Sequence, residues 1–309
     1  MHEGSRKAIA AAFLANLGIA VAKFLAFAVT GAASLLAEAI HSVADTGNQG
    51  LLFLGGHRAR KPATRLHPFG YGRERYFWAF VVALVLFSLG AVFALVEGFE
   101  KLIHPHAIDD PIVAFAVLGV AMLLEAFSFR TAIREASKVR HRHTWWQFIR
   151  AAKSPELPVV LLEDLGALVG LLFAVVGISL SEITGEPAFD ALGSIAIGLL
   201  LGVIAVVLAI EMKSLLIGEA AAPDEEQLIV DTIESDPHVV RLIHLRTQHL
   251  GPEELLVAAK VELDADTIAR LGSTVDDLER RIRDSVPNAR VIFIEPDEYR
   301  AGEAADDPE

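Results

Sequence analysis

HSVADTGNQ, residues 41–49, sets a histidine, a carboxylate, two carboxamides and two hydroxyls between two almost wholly apolar stretches. These are AKFLAFAVTGAASLLAEAI (22–40) before it and GLLFLGG (50–56) after it. It is either a polar loop joining two hydrophobic segments or a polar site inside one of them. The choice fixes how many times the chain crosses a membrane, and so fixes the fold.

The 309 residues are 53% hydrophobic, with mean hydropathy +0.45. Long apolar stretches in such a composition are the mark of membrane spans. There is no cysteine, which excludes disulfides and thiolate metal sites. The basic start, MHEGSRKAIAAAFLANLG, has the form of a signal peptide, but its apolar run continues to about Thr30 and reads as a retained span. Charge divides the chain in two. Residues 219–309 carry 23 acidic and 9 basic side chains, net -14, and residues 1–218 carry 17 and 18, net +1. A hydrophobic body is followed by an acidic, water-soluble tail, and the acidity argues against nucleic acid as a partner.

Crossing about 30 Å of hydrocarbon takes roughly 20 apolar residues. Six stretches qualify, at about 8–30, 34–56, 76–98, 111–130, 157–180 and 188–211. Only TGAAS separates the first two and only SEITGEPA the last two. Cationic residues gather in 57–75 (Arg58, Arg60, Lys61, Arg65, Arg73, Arg75) and in 130–156 (Arg130, Arg134, Lys138, Arg140, Arg142, Arg150, Lys153). The third-to-fourth connection has Lys101 alone. Short cytoplasmic loops retain Lys and Arg, so this alternation puts both termini in the cytoplasm.

The expected fold is a polytopic α-helical membrane protein of six spans (1–215), a cytoplasmic αββαβ domain of ferredoxin-like type (216–300) and a disordered acidic tail (301–309). In the second part, 224–235 and 274–285 have helical periodicity, and 239–249, 255–264 and 289–295 read as strands. The turn LGPEE between the first two strands suggests a hairpin.

With TGAAS as the first turn, HSVADTGNQ lies within the second span. His41 and Asp45, four apart, sit about 6 Å apart along one helix face near mid-membrane. An ionisable group there is expensive and is a functional hypothesis by default. Helix-borne His and Asp could simply bond to neighbouring spans. A second span, VVLLEDLGALVGLLFAVVG (159–177), adds Glu163 and Asp164 at similar depth. Two or three carboxylates and an imidazole would repel and desolvate badly unless a cation joined them. They make a ligand set for Zn²⁺, also tolerated by Co²⁺, Fe²⁺, Mn²⁺ or Ni²⁺.

Along nearly its whole length the sequence resembles the cation diffusion facilitator family. The likeness rests on SLLAEAIHSVADTGNQ in the second span, HPFGYGRERYFWAF (67–80), LLEDLGALVGL in the fifth span, DALGSIAIGLLLG (190–202), SLLIGEAA, and an LRT segment at 245–247. The resemblance implies export of a divalent metal, Zn²⁺ first, from the cytoplasm in exchange for protons, by alternating access of a homodimer joined through its membrane and cytoplasmic domains. The membrane expected is the plasma or inner cell membrane, with lipid as the other partner and no enzymatic cofactor. The family's site has two residues four apart on the second span and two on the fifth. His41 and Asp45 match the first pair and Asp164 one member of the second. The remaining position is Val160, which cannot bind metal. Glu163 is the obvious substitute, about 100° around the helix from Asp164, serving either as the ligand or in a proton path, and Asn48 or Gln49 could add a carbonyl oxygen. The fifth span lacks the histidine common in zinc-selective members, so Mn²⁺, Fe²⁺, Co²⁺ or Ni²⁺ is the alternative cargo.

Among the other polar residues, Lys23 and Glu38 are equidistant from the first turn and are expected to pair. Asn16 is expected to bond between helices, and Glu125, near the cytoplasmic end of the fourth span, to pair with an arginine rather than to lead ions inward. His67 is either a second metal ligand or a solvated loop residue. His141 and His143 could collect cytoplasmic metal, but their many arginine neighbours favour a basic segment that faces lipid. In the tail, His238, His244 and His249 occur beside Lys260 and Phe293, which argues against a full two-metal site there. No nucleophile, nucleotide loop or cofactor motif suggests an enzyme; a non-transporting scaffold or partner subunit is the competing class.

Overall fold

The computed structural model describes residues 3–140, 144–264 and 271–298, and within them the side chains of all but 3–16, 86 and 87. The acidic tail (301–309), His141, His143 and the Asn16 side chain lie outside the described residues. The chain divides into two compact units, one of residues 1–57 and 77–213, the other of 58–76 and 214–309.

The first unit is helical. α1 (Glu3–Thr30) and α2 (Ala33–Arg58) are separated by two residues only. So tight a reversal needs a left-handed residue, and Gly31 supplies it at φ 65°. α3 (Glu74–Val81), a π-helical run (Val82–Phe87) and α4 (Ser88–Ile103) then follow one another without a break. After these come α5 (Pro111–Val139), the short α6 (Trp145–Ala151), α7 (Glu156–Thr184) and α8 (Ala188–Ile217).

Four helices among the described residues are long and apolar enough to cross a membrane: 74–103, 111–139, 156–184 and 188–217. α2, 26 residues long, is not among them, because the polar run 41–49 lowers its mean hydropathy. α1 contributes a shorter apolar stretch, Leu17–Thr30, to this reading. The packing suits a bilayer. Small and aliphatic residues such as Ala26, Leu35, Leu118, Leu171 and Leu201 fill the interior, and Leu89, Ile112, Phe127, Ile183 and Ile210 are exposed outside. That outside is apolar because lipid, not water, is the solvent it is built for. α5 packs along α7 and α1. α4 and α8 approach closely at Gly198, where a Cβ would stand 2.9 Å from the Ala91 carbonyl oxygen, as small residues allow in membrane helices.

The end of this unit that carries the α1–α2 turn is tied by a buried knot that sequence reading did not anticipate. Lys101 Nζ lies 2.8 Å from Asp190 Oδ2 and 3.0 Å from the Gly31 carbonyl oxygen. Asp190 also accepts from the Ala33 amide at 2.8 Å and from the Ser34 hydroxyl. Its carboxylate therefore caps the first turn of α2, where unpaired amides and the helix dipole favour an anion.

The second unit follows the expected order: α9 (Pro223–Glu234), β1 (Val239–Gly251), β2 (Glu254–Leu263), α10 (Leu271–Ser285) and β3 (Ala289–Pro296). The sheet order is β1-β2-β3, antiparallel between the first two and parallel between the last two. The hairpin closes at Gly251 opposite Glu254, within LGPEE. Along β2, Leu255, Val257, Ala259 and Val261 alternate inward, the period-two signature of a half-covered sheet. Ile229 and Ile233 of α9 and Ile282 of α10 cover that face. Residues 58–76, mostly the loop between α2 and α3, belong to this unit. Gly72 lies so close to the hairpin turn that a Cβ there would stand 2.8 Å from the Leu250 carbonyl oxygen.

Candidate metal-transport site

α2 carries its polar run as helix without interruption from His41 to Gln49. His41, Ser42, Asp45, Thr46 and Asn48 are all buried. The i, i+4 spacing stacks His41 above Asp45, with Nδ1 3.4 Å from Oδ1. Thr46 satisfies its hydroxyl within the helix, donating to the Ser42 carbonyl at 2.9 Å, and leaves the other polar groups to face neighbouring helices.

Glu163 and Asp164 on α7 are also buried, and their neighbouring positions turn them toward different helices. Asn48 of α2 donates its amide N–H to Glu163 Oε2. Ser128 of α5 donates its hydroxyl to Asp164 Oδ2 at 3.0 Å. The two carboxylates thus join three helices, with Glu163 held toward α2 and Asp164 toward α5. Val160 instead packs in an apolar cluster with Ala132, Ala136 and Phe148, as befits the position that lacks a donor.

Electrostatically the residues form one group. Asp45 feels Glu125, Lys23, Glu38 and Asp164, and Glu163 feels Asp45, Asp164 and Glu125. Carboxylates of α2, α5 and α7 that act on one another inside a membrane unit favour a shared cation. Among the described residues, no three His, Asp or Glu side chains are gathered tightly enough to hold a metal ion as they stand. The oxygen of the Asn48 amide is buried with no hydrogen-bond partner among the described residues. Gln49, the next residue, is half-buried.

Lys23 and Glu38 pair as expected, 3.0 Å apart and fully buried, and Lys23 also donates to the Ser42 hydroxyl at 2.8 Å. Glu38 presses on α7: a Cβ at Gly170 would collide with its carboxylate. The expectation for Glu125 needs correcting. Among the described residues it forms no ion pair with an arginine; it lines a narrow crevice with Ile19, Ser42 and Asp45. The roles of Ser42 and Ser128 were missed, for the sequence gives no sign of which neighbouring helix a serine faces.

His67 belongs to the other unit, exposed, its ring 4.6 Å from that of Tyr71. In the same unit Lys260 is engaged by Glu295 and Asp297, and Phe293 is exposed. His249 is buried, and His238 lies 3.4 Å from Asp264.

Comparison with known proteins identifies the family. The cation efflux transmembrane domain matches residues 9–217, and the cation efflux protein cytoplasmic domain matches 221–299. A Mus musculus protein named proton-coupled zinc antiporter SLC30A9, mitochondrial, is 32% identical over 250 residues, covering 80% of this chain and 44% of the relative. Its Homo sapiens namesake is 30% identical over 264 residues, covering 85% and 46%. The cation-efflux pump FieF of Escherichia fergusonii is 28% identical over 293 residues, covering 94% and 91%. The chain spans less than half the length of the SLC30A9 proteins that it matches. With both domain models matched in order along one helical unit and one small sheet, the chain belongs to the cation diffusion facilitator family of cation-efflux transporters.

Proposed function

We propose that the chain exports a divalent metal ion, Zn²⁺ first, from the cytoplasm in exchange for protons, by alternating access of a homodimer. The cation binds between α2 and α7, with His41, Asp45, Asp164 and Glu163 as ligands and the Asn48 oxygen as a further donor. Gln49 is a lesser candidate there, and His67, in the other unit, is a lesser candidate for a separate, second metal. The observation that carries this reading is the buried group of donors shared by the two helices, with Asn48 already joined to Glu163.

In this reading six helices span the membrane, α1 and α2 included, and both termini face the cytoplasm as the loop charges require. Residues 1–215 form the transport domain. Residues 216–300 form a ferredoxin-like cytoplasmic domain that joins two copies, followed by an acidic tail over 301–309. The polar run that keeps α2 from resembling an ordinary span is the site itself. Metal meets neutral imidazole and ionised carboxylates, so binding releases protons, and a proton gradient can drive the cation outward.

A second cargo is favoured by α7, which offers only carboxylates. Oxygen donors suit Mn²⁺ or Fe²⁺ better than an imidazole-rich set does. Competition among Zn²⁺, Mn²⁺, Fe²⁺, Co²⁺ and Ni²⁺ for uptake into proteoliposomes tests the order. Uptake of none of them would leave the scaffold reading in place of transport.

A further inference from the structure

Glu125 stands midway along α5, a 29-residue helix between Pro111 and Val139. Its neighbours on that helix, Leu124 and Phe127, are exposed apolar residues. A carboxylate at that depth is costly unless something compensates it. No arginine does so among the described residues. The cation acting on it is Lys23, whose ammonium already serves Glu38 and Ser42 at 3.0 and 2.8 Å. The arginines further along α5, Arg130 and Arg134, are exposed.

Glu125 instead opens onto the crevice formed with Ile19, Ser42 and Asp45. Three of these four lining residues carry oxygen donors, and two are carboxylates on different helices. Glu125 also acts electrostatically on Glu163 and Asp164, so one residue of α5 reaches the acidic members of both α2 and α7. A second, independent sign of a ligand is the Asn48 amide oxygen, buried on α2 with no hydrogen-bond partner among the described residues. α5 already takes part in the site through Ser128, which holds Asp164.

We propose that Glu125 is a direct ligand of the transported cation, bringing a carboxylate from a third helix to the site between α2 and α7. This rests on the transport-site reading above. It compensates for Val160, the one position of the two helical pairs that has no donor atom. It also gives the cation a carboxylate on α5, so that the position of α5 against α2 and α7 depends on whether cargo is bound.

The test is calorimetric titration of the full-length protein in detergent with Zn²⁺, comparing the wild type, Glu125→Gln and Asp45→Asn. Glu125→Gln is expected to weaken binding at least about tenfold, the loss that even outer groups of metal sites produce, and Asp45→Asn to weaken it further. Wild-type affinity in Glu125→Gln alongside lost binding in Asp45→Asn overturns the role of Glu125 and leaves the site standing. Wild-type affinity in both overturns the site as well.

A measurement on the unaltered protein covers the case in which Glu125→Gln does not fold. A hydrophobic carbodiimide labels carboxyl groups within membranes, and mass spectrometry reads each position. Saturating Zn²⁺ is expected to slow labelling of Glu125 together with Asp45. Slowing at Asp45 with none at Glu125 overturns the proposal.

Discussion

Asn48 of α2 donates a hydrogen bond to Glu163 of α7, joining residues that are 115 positions apart in the chain. The bond holds Glu163 toward α2, although it lies about 100° around α7 from its neighbour Asp164. A carboxylate so placed is available to a cation between the two helices. Glu163→Gln is therefore expected to weaken Zn²⁺ affinity about as much as Asp164→Asn does. Calorimetric titration decides this; unchanged affinity with a flattened pH dependence would make Glu163 a proton carrier instead.

Lys101 and Asp190 form a buried pair at 2.8 Å that also caps α2. Removing one partner leaves a charge without compensation, at a cost of about 3–5 kcal/mol. Asp190→Asn is expected to lower the thermal midpoint in detergent strongly, and Lys101→Met combined with Asp190→Asn to recover part of it. Additive losses in the double variant would show that the two residues act independently.

Gly170 has no room for a methyl group because the Glu38 carboxylate lies against it. Glu38 cannot readily move, since Lys23 holds it on the other side. Gly170→Ala is expected to cost about 1–3 kcal/mol through overpacking. Transport should fall with it, because α2 and α7 no longer close to their normal distance. Normal stability and transport in this variant would show that Glu38 yields.

How much of this was legible in the sequence depends on range. The long apolar runs announced their helices, and LGPEE announced the hairpin, because both signals are local. Lys23 and Glu38 were matched correctly because a two-residue turn fixes which depths on α1 and α2 face each other. His41 and Asp45 needed only the helix period. What depended on the rotation of one helix against another was not legible. α4, α5 and α8 are apolar nearly all round, so periodicity does not reveal which side faces inward. For that reason the Lys101–Asp190 knot, the Ser128–Asp164 bond and the outlook of Glu125 onto Asp45 emerged only from the structure. α2 shows the opposite case, in which a run of polar residues keeps a 26-residue helix below the hydropathy of an apolar span.

Metal affinity should follow pH in one direction. Protons compete with the metal for the carboxylates of the site, so Zn²⁺ binding weakens as pH falls from about 8 to about 6. Titration in buffers of different ionisation enthalpy should show proton release on binding. Equal affinity at both pH values, with no protons released, would remove the basis for antiport.

Zinc uptake into proteoliposomes under an imposed pH gradient tests the transport site most directly. With an acidic lumen, the wild-type protein is expected to accumulate Zn²⁺ and to stop when the gradient is collapsed. Asp45→Ala and Asp164→Ala should each fail to accumulate it while remaining folded dimers. Full, gradient-driven uptake by folded Asp164→Ala would contradict a site between α2 and α7.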